Sequence, residues 1–337
     1  MTYSAASTRY DELPIRRVGK TGLQLPVVSL GLWRNFGDEA PFANSRKVVL
    51  DAFDHGVFSF DLANNYGPSK GSAERTFGQI MQRDLKPYRD ELVITTKAGY
   101  PAWSGPYGAF GSRKTLISSL DRSLKQMHLD YVDIFYSHRP DPNIDLYETA
   151  AALDQLVRQG KALYVGISNY DRDQTATMVK YFNEMHTPFT VNQYSYNMLN
   201  QQAQTTGLID YLGQHNAGLV AYGPLAEGLL TQRYLQGIPA DFPIHRTNKY
   251  LFDQGTAAVV NQLNALNRIA EQRGQTLAQM ALAWLLRSQV VTSVIIGTTN
   301  VDPSRRADHC RDPWFYRQSH GLSDTKADRS DELTGAS

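Results

Sequence analysis

Eight short apolar segments recur along this chain, and a helical pattern follows almost every one before the next begins. They start near Val27, Phe58, Leu92, Val132, Ala162, Thr190, Leu219 and Ser293. Strands separated by a helical crossover run parallel, and eight such units predict a (β/α)8 TIM barrel. The intervening helices are expected over Ser45 to His55, Ser72 to Arg83, Arg113 to Met127, Leu146 to Gln159, Asp171 to Asn183, Leu208 to His215, Ala257 to Gln272 and Leu277 to Arg287. Pro14 to Leu25, with a turn at Gly19 to Gly22, reads as an N-terminal β-hairpin ahead of the barrel. A doubly wound open sheet is the competing architecture. It would hold a dinucleotide on G-x-G-x-x-G after its first strand, and the chain has no G-x-G.

Barrels carry their chemistry where the strands end. Here the second strand ends on Asp61, and the loop Ala63-Asn64-Asn65 delivers Tyr66 just beyond it; Ser72 is placed to cap the next helix. The third strand ends on Lys97 and the fourth on His138. A free tyrosine has a pKa of about 10 and needs help to give up a proton at neutral pH. A lysine ammonium beside it would lower that pKa, and a carboxylate would hold the ammonium in place. His138 could donate a hydrogen bond to the same substrate oxygen. Such a set suits protonation of a developing alkoxide as a hydride reaches carbon, and a nicotinamide is the source of such a hydride. Singly, each residue has a plainer reading: a turn former, a loop aromatic, a solvated strand end, a structural histidine. Four suitable types at matching positions point to a site.

Composition narrows the alternatives. With 337 residues, 42% hydrophobic, there is material for one large domain or two ordinary ones. A net charge of +1 gives no reason to expect nucleic acid or an anionic membrane as partner. No apolar run reaches the length of a membrane span, and the N-terminus lacks the order of a signal peptide. Cys310 is the single cysteine, which excludes an internal disulfide and a cysteine-based zinc site. No metal is expected, and a soluble cytoplasmic enzyme fits.

The run Phe60-Asp61-Leu62-Ala63-Asn64-Asn65-Tyr66-Gly67, the strand ends at Lys97 and His138, and Gly166-Ile167-Ser168-Asn169 together resemble the aldo-keto reductases. The resemblance runs from the hairpin to Gly297. It is closest to the branch holding the potassium-channel β subunits and the bacterial L-glyceraldehyde 3-phosphate reductases, whose loop Lys97 to Lys114 is similar to. It implies NADPH (NADP) laid across the strand ends. Tyr66 is then the general acid, assisted by Lys97 and Asp61, with His138 polarising the carbonyl. Ser168, Asn169 and Gln193 would hydrogen-bond the nicotinamide carboxamide, and Tyr222 would stack on the ring. Gly223, Pro224, Leu225 and Gly228 would follow the pyrophosphate, and Arg233 would meet phosphate. Trp33, Asp61, Tyr66 and Thr299 complete the implied cofactor contacts. Trp33, Asn35, Tyr100 and Trp103 are candidate substrate-pocket walls.

The implied activity is NADPH-dependent reduction of small aldehydes, with glyceraldehyde 3-phosphate and methylglyoxal as trial substrates. Members of the branch are often tetramers or larger, so a homo-oligomer is implied. A rival function is a redox-sensing regulatory subunit with a reductase fold. A barrel hydrolase using Asp61 with Glu74 or Asp133 ranks last, since it leaves Tyr66, Lys97 and His138 without roles. Residues 1–300 are expected to form one barrel domain. From 301 to 337 the chain is polar and lacks a sustained helical period, reading as a disordered tail. Either a frame change near Val301 has replaced the family's last helix, or Arg305 and Arg306 meet the 2′-phosphate from a rebuilt loop.

Overall fold

The computed structural model describes residues 3–11, 13–34, 36–242 and 249–298. An antiparallel hairpin, β1 (Ile15–Arg17) and β2 (Gln24–Pro26), precedes the main sheet. The sheet is a closed barrel of parallel strands: β3 (Val28–Gly31), β4 (Ser59–Asp61), β5 (Val93–Ala98), β6 (Val132–Ser137), β7 (Ala162–Ser168), β8 (Phe189–Ser195), β9 (Gly218–Tyr222) and β10 (Val291–Ile296). They neighbour one another in chain order, and β10 closes on β3 through Val294 opposite Val28. The expected (β/α)8 barrel with its hairpin is therefore the fold. The hairpin sits against the end of the barrel away from the site. From it, the buried Arg16 guanidinium donates to the carbonyls of Leu286, Ser288 and Val291, around the start of β10.

Around the barrel lie α1 (Phe42–Asp54), α2 (Ser72–Ile80), α3 (Arg113–Met127), α4 (Leu146–Arg158), α5 (Arg172–Met185), α6 (Gln202–Thr205), α7 (Leu208–Gln214), α8 (Thr256–Gln272) and α9 (Leu277–Leu286). Several starts follow local chemistry. Ser112 and Asp145 accept backbone N–H groups at the heads of α3 and α4, and Asp171–Gln174 and Thr276–Gln279 form capping boxes on α5 and α9. Helix α2 departs from expectation. Its N-cap is Gly71 in the left-handed region (φ 83°), so Ser72 is already helical and its hydroxyl caps nothing. Beyond Ile80 the helix widens into a π-turn, Met81–Leu85.

The described residues between β9 and α8 carry a small core of their own: Leu229, Leu230, Tyr234 and Phe242 are buried against Val259 and Leu263 of α8. Asn35, Thr299 and the tail 301–337 lie outside the described residues. Among the described residues no helix is long and apolar enough to cross a membrane.

Candidate active site

Asp61 is the last residue of β4, and its carboxylate points into the barrel. Thr95 of β5 and Gln193 of β8 donate to Oδ1, at 2.8 and 2.9 Å. Lys97 of β5 donates to Oδ2 at 2.6 Å. Thr95 and Lys97 share a face of their strand because side chains two apart point the same way. Lys97 is wholly buried, with further bonds to the Leu62 carbonyl at 2.6 Å and to the Tyr66 hydroxyl at 3.2 Å. A buried ammonium with that many acceptors is held in one place. Burial lowers its pKa, and the charge of Asp61 works against that loss.

Tyr66 hangs from a loop folded tightly on itself. Its carbonyl accepts from the backbone N–H of Gly71 and of Ala73 at the head of α2, at 3.0 and 3.3 Å. Gly67 beside it has φ 98°, and a Cβ there would run into the Ser72 hydroxyl, so this turn needs glycine. The phenol itself is pushed well above its ordinary pKa, first by burial and then by the negative charge of Asp61. The sequence led us to expect Lys97 to lower it. Removal from water sets the direction instead, and Tyr66 is held as a protonated acid.

His138 follows β6, and its ring meets the Tyr66 ring edge-on with centroids 5.8 Å apart. Burial, then the charges of Lys97 and Arg139, push its pKa well below the ordinary value, so the imidazole is neutral. Its Nδ1 is buried and has no hydrogen-bond partner among the described residues. The tetrad thus presents a protonated phenol and a neutral imidazole together, with a cation behind the phenol.

The groups expected to hold a nicotinamide lie at the ends of the next strands. Ser168 ends β7, and Asn169 turns there with φ 63°. The Asn169 amide donates to the His138 carbonyl at 2.9 Å and to Ser168 Oγ at 3.2 Å, while its oxygen accepts from Tyr222 Oη at 2.7 Å. Gln193 gives its amide N–H to Asp61, so in this arrangement it serves the tetrad. Tyr222 is half-buried at the end of β9, followed by Gly223 in the left-handed region (φ 63°) with open space where a Cβ would be. Pro224 and Leu225 continue this turn, and Gly228 (φ 90°) closes the next. Amide and hydroxyl groups beside an aromatic ring and an open glycine turn fit a nicotinamide nucleotide. Arg233 is exposed, its guanidinium 5.3 Å from the Tyr234 ring.

The expected pocket walls divide. Trp33 is exposed with its ring 6.3 Å from that of Tyr66, and the Tyr100 ring stands edge-on to His138 at 4.6 Å. Trp103 instead lies by the Arg122 guanidinium of α3, at 5.4 Å. Sequence reasoning did not single out Thr95, whose hydroxyl looks like ordinary strand chemistry until the barrel closes over Asp61. It also passed over Arg139, visible as a cation directly after His138.

A protonated phenol, a neutral imidazole and a buried cation thus meet where the strands of a parallel barrel end. The model of the Aldo/keto reductase family matches residues 27–306. The L-glyceraldehyde 3-phosphate reductase of Escherichia coli (strain K12) is 50% identical over 310 residues, covering 90% of this chain and 88% of that protein. A probable voltage-gated potassium channel subunit beta from Arabidopsis thaliana is 33% identical over 293 residues, 84% of this chain and 87% of its own. The chain belongs to the aldo/keto reductase family and is an oxidoreductase.

Proposed function

We propose that this protein is a cytoplasmic, NADPH-dependent reductase of small aldehydes, with Tyr66 as the general acid. The observation that carries this reading is the Tyr66 hydroxyl 3.2 Å from an ammonium that is itself paired with Asp61 at 2.6 Å. A reduced nicotinamide bound by Ser168, Asn169 and Tyr222 would supply the hydride. The chain's own residues do the rest. The carbonyl oxygen of the aldehyde accepts hydrogen bonds from Tyr66 and from the neutral His138, which orients the carbon and draws charge onto the oxygen. As negative charge grows there, the Tyr66 proton passes to it. The phenolate left behind faces the Lys97 ammonium, so charge is stabilised in a site that needs no reorganisation. The full donor set around Asp61 keeps Lys97 from swinging away.

Glyceraldehyde 3-phosphate and methylglyoxal are the candidate substrates, the first being named in the Escherichia coli relative. Assembly into a tetramer or larger is part of the same proposal and is read by light scattering. The reaction is tested by following NADPH absorbance with each aldehyde and with NADH in its place. Turnover with NADPH supports the reading. Nucleotide binding with no turnover of any aldehyde would favour a sensing role, and no binding would remove the reading altogether.

A further inference from the structure

The tetrad leaves one cation beside it without a role. Arg139 follows His138 and is half-buried, with its guanidinium carbon 4.5 Å from the Tyr100 ring centroid and 4.6 Å from that of Phe110. Its charge is among those that depress the basicity of His138, so it is felt at the imidazole. Tyr100 is the link, for the ring that Arg139 covers is the one that meets His138 edge-on at 4.6 Å.

Most of the buried or half-buried cations here have a carboxylate. Arg46 pairs with Asp84, Arg89 with Asp133 and Lys97 with Asp61. Arg139 pairs with no carboxylate among the described residues. Its Nε donates to the Gly99 carbonyl at 3.1 Å, and no bond is made by its two terminal nitrogens among those residues. A guanidinium removed from much of the solvent, steered by one bond and held between two rings, presents four N–H groups in a fixed fork. That geometry matches a phosphate.

A purely structural reading would have Arg139 bolt the loop that runs from Gly99 to Phe110. That loop is closed without it, because the Phe110 N–H already bonds the Gly99 carbonyl at 2.8 Å. The bolt also needs only Nε and the stacked plane, leaving a full positive charge unexplained next to a site for a neutral aldehyde.

We propose that Arg139 binds the phosphate of a phosphorylated short-chain aldehyde whose carbonyl lies at Tyr66 and His138. The proposal rests on the reductase reading above and assigns the residue that chooses between its candidate substrates, favouring the phosphorylated aldehyde over the uncharged one. Arg139 is then a specificity residue that touches substrate away from the reacting carbon.

The test compares glyceraldehyde 3-phosphate with glyceraldehyde as substrates of the wild type, Arg139→Met and Arg139→Lys. Loss of a charge-assisted fork should lower the ratio of kcat/KM for the phosphorylated over the plain aldehyde by about 100-fold in Arg139→Met, mostly through KM. Arg139→Lys should fall between. Inorganic phosphate should inhibit the wild type competitively against the phosphorylated aldehyde, and that inhibition should disappear in Arg139→Met. An unchanged ratio would overturn the proposal, whether both substrates fell together, as a loop bolt requires, or neither moved. A wild type active on glyceraldehyde but no better on its phosphate would overturn it while leaving the reductase reading intact. Inactivity of the wild type on both, with methylglyoxal also left unreduced, would remove that reading and this proposal with it.

Discussion

Lys97 and Asp61 form an ion pair at 2.6 Å inside the barrel, with the lysine side chain wholly buried and the aspartate nearly so. Two adjacent parallel strands bring them together: Asp61 lies opposite Thr95, and Lys97 is two residues further along the same face. The pair links stability to chemistry, because the ammonium that Asp61 holds is the one that faces the Tyr66 hydroxyl.

Removing one partner should therefore cost more than removing both. Asp61→Asn leaves Lys97 buried without a counter-charge and should destabilise the fold by about 3 kcal/mol or more in urea unfolding. Combining it with Lys97→Met should recover part of that loss. Additive costs in the double-mutant cycle would show that the two charges are not coupled.

Glu74 gives the fold a pH dependence of its own. It is buried on α2, and Thr96 donates to Oε1 at 2.6 Å. Turned to suit its neighbours, the Gln126 amide donates to Oε2 at 3.2 Å. Burial raises its pKa from 4.5 to about 7, so the folded protein holds a proton that the unfolded chain releases. Its contribution is fully present below pH 4.5 and is lost as the pH climbs through about 7. The scale is at most about 3 kcal/mol. Urea unfolding at pH 5 and pH 8 should show the wild type losing stability relative to Glu74→Gln as the pH rises. Parallel behaviour of the two proteins would contradict the assignment.

His138 carries the opposite sign. Its folded pKa is depressed, so its contribution is present above the ordinary histidine value and falls away as acid protonates the unfolded chain. Because burial keeps the imidazole neutral through the ordinary histidine range, kcat/KM should show no titration of His138 as the pH falls through that range. A drop in that range, absent in His138→Asn, would show that the ring is less shielded than its burial implies.

The barrel was legible because its signal is repetitive: apolar strand, helix, apolar strand. Asp61, Lys97 and His138 stood out as polar residues closing apolar runs, and Tyr66 by its place in the loop after Asp61. Contacts made across the barrel were not legible. Gln193 is expected from the resemblance to hydrogen-bond the nicotinamide, and only closure of the barrel brings it from β8 to within 2.9 Å of Asp61. The acidity of Tyr66 was misjudged for a related reason, since the sequence shows which charges are near but not how much water is gone. At α2, Ser72 has the right chemistry for a cap, but the left-handed turn at Gly71 starts the helix one residue earlier.

In the proposed reaction the Tyr66 hydroxyl is the proton donor to the aldehyde. Tyr66→Phe removes that oxygen and keeps the ring, so NADPH titration by fluorescence and aldehyde reduction should be measured side by side with the wild type. Nucleotide affinity should stay within about threefold of wild type while reduction slows by about 1,000-fold, within the usual range for a lost general acid. Undiminished turnover in the variant would rule out Tyr66 as the donor and take the proton from another source.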